Sequence, residues 1–367
     1  MGISTVLLAY KEAENLRFLL PQIKEQLEKI GEEYEILVID VEKPLDDTAA
    51  VCKEFGAQYF NQELPHFGGA FQTGIRHATM DKFLILDSDG SHNPQAIPAI
   101  YKAFCAGADM VIGSRYVKGG VSNDSKVSFA MSQILNTLFR FALQVKARDI
   151  STDYRMYHTE ELKKTTLFCE NYDILQEVIL KLKLQKDAPF IIDEVPITFN
   201  KRVFGESKRS LLKFILCYVK TIVKLTTLRL VSKKDKNPAK CEQQAELFTN
   251  VLMYGGIGVL AAVLDFALFA LLNAVIHVPE ISNIFGAIGG FFFSFYFNTF
   301  YNFQKSDKVA KRFVSYGAIC VLGAALSTTI IHLCKQSVNL YALKAIALVI
   351  ASIFQFVLNK LVTYTKI

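Results

Sequence analysis

Two carboxylates separated by one residue, Asp87 and Asp89, directly follow the apolar run Phe83-Leu84-Ile85-Leu86. Acids at the end of a buried strand can close on a divalent cation, and their hard oxygens suit Mg²⁺ or Mn²⁺. Such an ion can in turn hold a substrate diphosphate. A DxD in a random loop is more often a solvated turn; its place after an apolar strand favours the metal. Asp40 ends Ile36-Leu37-Val38-Ile39 in the same way. There is no GxGxxG and no GxxxxGK[ST], which removes the usual dinucleotide and P-loop chemistries. The seven cysteines show no CxxC or Cys/His metal spacing and read as reduced core or membrane residues.

The elements that position these acids alternate over the first 115 residues. Thr5–Ala9, Glu35–Asp40, Phe83–Asp87 and Met110–Gly113 read as buried strands, with helical patterns over Glu14–Lys29, Asp46–Phe55, Ala70–Thr79 and Gln95–Ala106. That alternation predicts an α/β fold with a mostly parallel sheet and ligands at the carboxyl ends of the strands.

The remainder is of another kind. The chain of 367 residues is 51% hydrophobic, with a mean hydropathy of +0.25. Residues 1–207 carry 23 basic and 29 acidic side chains, residues 208–240 carry ten basic and one acidic, and residues 247–367 carry only 11 charges. The basic excess lies beside the apolar part, which points to an anionic membrane surface and not to nucleic acid. We expect three segments: a soluble domain at 1–207, a juxtamembrane amphipathic helix and basic linker at 208–246, and a four-helix membrane domain at 247–367.

The expected spans are 250–277, 281–303, 313–334 and 341–363. The fourth is weakened by Lys344 and Lys360, which must snorkel. Lys305, Lys308, Lys311 and Arg312 between the middle spans, and the basic stretch before the first, predict both termini in the cytosol. Ser4–Ala9 is too short an apolar run for a secretory signal, so the soluble domain is expected there too.

An internal repeat supports the hairpins. Tyr254-Gly255 with Val259-Leu260 recurs as Tyr316-Gly317 with Val321-Leu322, and Asn298 with Phe303 recurs as Asn359 with Tyr364. The copies would run parallel. Chance similarity among apolar residues is the alternative. Asp265, inside a span, is either functional or hydrogen-bonded to Asn273 or Ser294. Gly286-Ala287-Ile288-Gly289-Gly290 offers a close-packing face for a homo-oligomer. Between the domains, 208–231 reads as a helix lying on the membrane, with Lys213, Lys220 and Lys224 on one face and Leu212, Ile215, Val219 and Ile222 on another. The alternative is a helix packed on the soluble domain.

The soluble part resembles a family 2 glycosyltransferase of the polyprenyl-phosphate, dolichol-phosphate mannose synthase-like branch. The matching blocks are Tyr10-Lys11-Glu12-Ala13-Glu14-Asn15-Leu16, the strand ending in Asp40, Asp87-Ser88-Asp89, and Gly113-Ser114-Arg115-Tyr116-Val117-Lys118-Gly119-Gly120. They continue with Gln176-Glu177 and with Val195-Pro196-Ile197 through Arg202 to Gly205-Glu206-Ser207-Lys208. The apolar tail is similar to the GtrA-like membrane domain.

The resemblance implies a GT-A fold and transfer of one sugar from a nucleotide-sugar donor to a polyisoprenyl (dolichyl or undecaprenyl) phosphate in the bilayer, with inversion. It implies that Asp87 and Asp89 hold Mg²⁺ or Mn²⁺, with Ser91 a weaker ligand where the family often has Gln. Ala9, Tyr10, Glu12 and Asp40 would line the nucleoside pocket. Arg202 and Lys208 would grip the donor phosphates, attraction to anionic lipid being the plainer reading. Arg115, Ser132, Gln176 and Glu177 would serve the acceptor phosphate and sugar, with Asp89, Arg115 and Arg202 central to catalysis. Glu177 has the alternative of capping or salt-bridging its own helix.

Departures from the family pattern bear on the donor. Leu8-Ala9-Tyr10-Lys11 stands where Pro-Thr-Tyr-Asn is usual, and Val41 follows Asp40 where a second Asp is usual. Ser128 replaces an expected basic residue, with Lys126 nearby. Two other functions compete. A processive polysaccharide synthase normally needs a QxxRW-like motif, and this chain has no tryptophan. A non-catalytic adaptor or flippase would not need the intact DxD. The setting expected is a multi-pass protein of a prokaryotic plasma membrane.

Overall fold

The computed structural model describes residues 2–202, 204, 211–235, 237–334 and 340–366. The chain divides into two compact units, Met1–Lys234 and Asp235–Ile367. The first contains β1 (Gly2–Leu8), α1 (Ala13–Ile30), β2 (Glu33–Asp40), α2 (Thr48–Phe55), β3 (Gln58–Asn61), α3 (His66–His77), β4 (Lys82–Asp87), α4 (Ile97–Cys105), β5 (Met110–Ser114) and β6 (Val121–Ser122). It continues with α5 (Lys126–Leu143), β7 (Arg155–His158), α6 (Thr159–Lys163), α7 (Ile174–Gln185), β8 (Ile192–Pro196), β9 (Thr198–Phe199) and α8 (Leu211–Val231).

Seven strands form one sheet in the order β3-β2-β1-β4-β7-β5-β8, and β6 pairs with β9 apart from it. Every neighbour in the large sheet is parallel except β7, which runs antiparallel to both β4 and β5. The inner strands β2, β1, β4, β7 and β5 are largely buried, as near-continuous apolar runs must be when helices cover the sheet, while the edge strands β3 and β8 are partly exposed. Leu16, Leu19, Leu20, Ile23 and Leu27 of α1 recur at helical spacing and pack in one core with Leu7, Val38, Leu84, Leu86 and Val111.

Register places the chemistry. Leu8 lies opposite Ile39 and opposite Asp87, so residues 9–12, Asp40 and Asp87–Asp89 emerge at one edge. Arg155, at the start of β7, pairs with Ile85 and Ile112. The residues just before this reversed strand, 149–153, therefore reach the same edge.

By its packing, α8 belongs to the first unit, in line with the alternative reading of 208–231. Tyr218, Leu225 and Leu228 are buried, the Tyr218 ring meets Phe139 of α5 edge-on, and Thr221 Oγ1 donates to Asp173 at 2.6 Å. The connection to the second unit is accordingly short. On its other side, α5 exposes Val127, Ile134, Leu138 and Phe141, spaced so that they share one face.

The second unit comprises α9 (Pro238–Ile276), α10 (Pro279–Phe297), α11 (Val309–Cys334) and α12 (Leu340–Leu358). Among the described residues, three helices are long and apolar enough to cross a membrane: Pro238–Ile276, Ile284–Asn302 and Val309–Leu326. The fourth expected span appears as a shorter apolar helix, Val349–Thr365. Both copies of the internal repeat carry a π-helical stretch at the matching place, Asn298–Asn302 and Asn359–Lys366. The copies also exchange hydrogen bonds. Asn359 Nδ2 donates to Tyr254 Oη at 3.1 Å, and Asn298 Nδ2 donates to Tyr316 Oη at 3.3 Å. Chance similarity would not produce this reciprocity.

Gly286 and Gly290 lie against Asp265, and Gly289 against Leu268. The small-residue face that sequence offered to a second copy is thus used within the α9–α10 hairpin. Ser294 is hydrogen-bonded to Tyr316 instead of Asp265, and Asn273 Oδ1 is buried with no partner among the described residues.

Candidate active site

The turn after β4 is built to present acids. Gly90 takes φ +79°, which glycine adopts without a steric penalty. This lets the Ser91 N–H reach back to Asp89 Oδ1 at 2.9 Å. Ser91 Oγ lies 3.4 Å from Asp87 Oδ2, so Ser91 touches both carboxylates, the place expected for an auxiliary ligand. Ser88 Oγ ties the turn to the Leu8 carbonyl at 2.5 Å.

His92 pins the same turn from behind. Its Nδ1 accepts the Asp87 N–H at 3.0 Å, its Nε2 lies 3.1 Å from Thr152 Oγ1, and its ring packs on Tyr154 and Phe199. Burial pushes this imidazole below the usual histidine range, against the pull of Asp87. Asp87, His92 and Asp153 form a cluster whose ligand atoms all lie within 4.8 Å of one another. With Nδ1 already accepting a backbone proton, the donors left are carboxylate oxygens, and these fit a hard divalent cation better than a soft one.

On the β1 side, Ala9 donates its N–H to the Ile39 carbonyl at 2.8 Å, and Tyr10 is exposed. Lys11 adopts φ +59°, a strained conformation for a side chain of this type. Glu12 is buried; desolvation raises its pKa, opposed by a hydrogen bond from Asn15 and by Arg202. Arg202 joins the acids: Nη1 lies 3.2 Å from Glu12 Oε1 and Nη2 lies 3.0 Å from Asp89 Oδ2. Asp40 is closed in by the Val41 N–H and the Tyr59 hydroxyl at 2.8 and 3.0 Å. Burial raises Asp40, and burial together with Asp40 pushes Tyr59 up to about 12. Lys208 and the rest of 205–210 lie outside the described residues.

The second corner is organised around Arg115. Its Nε and Nη2 form a bidentate pair with Asp149 at 2.7 and 2.8 Å. Nη2 also reaches Ser151 Oγ at 2.8 Å and Ser132 Oγ at 3.4 Å. The guanidinium is stacked between the Tyr116 and Phe199 rings, each 5.0 Å away. Asp149, though fully buried, is held below the usual carboxylate range: the Arg115 hydrogen bonds and charge outweigh the cost of burial. Phe199 touches His92 on one side and Arg115 on the other, so it joins the acidic turn to this corner.

Gln176 and Glu177 stand one layer back. Gln176 Nε2 and Arg155 Nη2 both donate to the Ile150 carbonyl, at 2.9 and 2.6 Å. They fix the peptide between the two residues that hold Arg115. Glu177 accepts the Phe168 and Cys169 N–H groups and pairs with Lys181 at 2.8 Å, as the structural alternative anticipated. Sequence reading missed His92, Asp149, Ser151, Thr152 and Asp153. The polar stretch Asp149-Ile150-Ser151-Thr152-Asp153 before Tyr154-Arg155-Met156-Tyr157 was the available signal.

Comparison with known proteins agrees with the division of the chain. The glycosyl transferase family 2 profile matches residues 4–166, and the GtrA/DPMS transmembrane domain profile matches residues 253–364. A polyprenol monophosphomannose synthase from Mycolicibacterium smegmatis is 33% identical over 219 residues, 55% of this chain and 78% of that protein. A dolichol-phosphate mannosyltransferase from Pyrococcus furiosus is 33% identical over 217 residues, 57% of this chain. The match spans 59% of the Pyrococcus protein's length. Among solved structures, glucosyl-3-phosphoglycerate synthase from Mycobacterium tuberculosis, in complex with Mn²⁺, UDP and glucosyl-3-phosphoglycerate, has a TM-score of 0.47 at 17% identity. That match covers 61% of this chain and 80% of that one. The chain is a membrane protein that belongs to glycosyl transferase family 2, with the polyprenol monophosphomannose synthases among its relatives and a GtrA/DPMS transmembrane domain after its catalytic-type unit.

Proposed function

We propose that the first unit transfers a single sugar from a GDP- or UDP-sugar to the phosphate of a polyisoprenyl lipid, inverting the anomeric carbon. The observation that carries this reading is the meeting of two unlike corners through Phe199. One is an acidic turn suited to a metal diphosphate, and the other is a buried arginine flanked by the hydroxyls of Ser132 and Ser151. An acceptor phosphate oxygen would form the bond to the anomeric carbon while the bond to the departing nucleoside diphosphate breaks. The attacking oxygen is already anionic, so no general base is needed, and positioning carries most of the catalysis.

Asp87 and Asp89, with Ser91 and Asp153 beside them, would hold Mg²⁺ or Mn²⁺, which neutralises charge on the leaving diphosphate. Ala9, Tyr10, Glu12 and Asp40 would line the nucleoside pocket, and Arg202 and Lys208 would bind its phosphates. Arg115 orients Ser132 and Ser151 toward the acceptor; Gln176 acts through the Ile150 carbonyl. The exposed apolar face of α5 supports approach from a bilayer, since the same helix carries Ser132. The basic connection at Lys305, Lys308, Lys311 and Arg312 supports a cytosolic placement of the catalytic unit and both termini.

The test is a transfer assay in membranes holding the full chain. It supplies undecaprenyl or dolichyl phosphate, Mg²⁺ or Mn²⁺, and radiolabelled GDP- and UDP-sugars. A chloroform-soluble monosaccharide product, lost in Asp89→Ala, supports the reading. Labelled polymer, or lipid product that persists in Asp89→Ala, would overturn it.

A further inference from the structure

Arg202 sits in an unexpected place for a residue that binds donor phosphates. Its two terminal nitrogens are paired with protein carboxylates, Glu12 at 3.2 Å and Asp89 at 3.0 Å. Asp89 is the carboxylate that the donor-site reading assigns to the metal. Both ligands of the donor site therefore compete with one existing ion pair: a cation for Asp89, and a diphosphate for the guanidinium.

The segment that carries Arg202 is held at the same points. The Asn200 N–H donates to the Ser91 carbonyl at 2.8 Å, which ties the segment to the acidic turn. Beyond Arg202, the Phe204 N–H donates to Asn15 Oδ1 at 3.2 Å, and Asn15 Nδ2 lies 3.4 Å from the Phe204 carbonyl. Asn15 Nδ2 also donates to Glu12 Oε2. Glu12, Asn15, Arg202 and Phe204 thus form a closed loop of contacts between the start of α1 and the strap after β9. The Arg202 side chain is 32% exposed, so its ion pairs are in water's reach and readily exchanged.

We propose that Arg202 is a latch that couples metal binding to donor binding. Paired with Asp89 and Glu12, it neutralises both acids and competes with the divalent cation. When metal and nucleoside diphosphate arrive together, the cation takes over Asp89 and Arg202 transfers to the diphosphate. Neither ligand alone satisfies all the charges: metal alone frees the guanidinium from Asp89 and leaves it the single contact with Glu12, and diphosphate alone draws Arg202 away from two acids. The consequence is mutual tightening of the two ligands. This inference rests on the donor-site reading and adds to it the order of charge exchange.

The test uses the full chain in detergent or nanodiscs and reads free Mn²⁺ by electron paramagnetic resonance, first alone and then with GDP or UDP. Thermal melting of each variant confirms folding. Arg202→Ala is expected to bind Mn²⁺ alone about three- to fivefold more tightly than the parent chain, the size of a partly exposed ion pair. The same variant should lose most of the tightening that the nucleotide gives the parent. Arg202→Lys, which keeps the charge without the fork, should fall between. Lys201→Ala removes a charge one residue away and should change Mn²⁺ binding less than about twofold, since an exposed charge is screened. Equal or weaker Mn²⁺ binding by Arg202→Ala in the absence of nucleotide, or an equal gain in Lys201→Ala, overturns the latch and leaves the donor site standing. No Mn²⁺ binding by the parent chain, with or without nucleotide, overturns both.

Discussion

The two corners of the site solve opposite electrostatic problems. At the corner proposed for the donor, Arg202 and Asp89 are 32% and 15% exposed and meet through a single contact. At the corner proposed for the acceptor, Arg115 and Asp149 are 7% and 0% exposed and meet through two side-chain hydrogen bonds and a third from the Arg115 N–H. The Asp149–Ser151 segment is then fixed from every direction. Glu194 accepts the Arg148 and Asp149 N–H groups, Asn136 accepts that of Ile150, and Arg155 and Gln176 grip the Ile150 carbonyl. A donor that arrives as a nucleoside diphosphate with its own cation needs a site that can exchange partners. A lipid phosphate brings one small anionic group, and a preassembled corner can receive it without rearranging.

The contrast can be broken most severely at the acidic turn proposed to hold the metal. Asp89→Ala should cut transfer on the order of a thousandfold, since several kcal/mol of charge stabilisation are lost, while the melting temperature stays near that of the parent. Arg115→Met should do the reverse first: stranding the buried Asp149 costs about 3–5 kcal/mol. Melting of the first unit, followed by circular dichroism, should fall by roughly 10 °C. Acid sensitivity sharpens the same point. Asp149 has a folded-state pKa below its unfolded value, so its contribution to stability is complete above the ordinary aspartate range near pH 4 and is lost as pH falls through the depressed value. Denaturant titrations from pH 6 downward should show this loss in the parent and a flatter profile in Asp149→Asn. The smallest effect belongs to Ser132→Ala, which removes one hydroxyl from the corner. The KM for lipid phosphate should rise about threefold to tenfold while the KM for donor is unchanged; a shift in donor KM alone would remove Ser132 from the acceptor side.

Sequence made the donor side largely legible. Asp40 and Asp87 follow apolar strands in a parallel alternation, so their edge of the sheet could be named from pattern alone. The acceptor side was half hidden for a topological reason. β7 runs antiparallel between β4 and β5, so Asp149 of this corner, like Asp153 of the Asp87 cluster, precedes the strand instead of following it. A rule that looks for acids after strands passes over them. Gln176 and Glu177 illustrate a different limit: the blocks that contain them could be recognised, but their one-layer removal from the site depends on where Ile150 and Phe168 fold. In the second unit the repeat was readable at Tyr254 and Tyr316, whereas the crossing of their hydrogen bonds between copies was not, because partner choice is a property of packing. The fourth span was weakened in advance by Lys344 and Lys360.

Hydrogen exchange on the full chain, with and without Mn²⁺ and a nucleoside diphosphate, tests the contrast most directly. The account predicts altered protection in residues 9–15, 87–92 and 200–204, where partners are exchanged, and unchanged protection at 113–116 and 148–151. Equal changes in both sets would contradict it, since the acceptor corner would then be assembled by the donor.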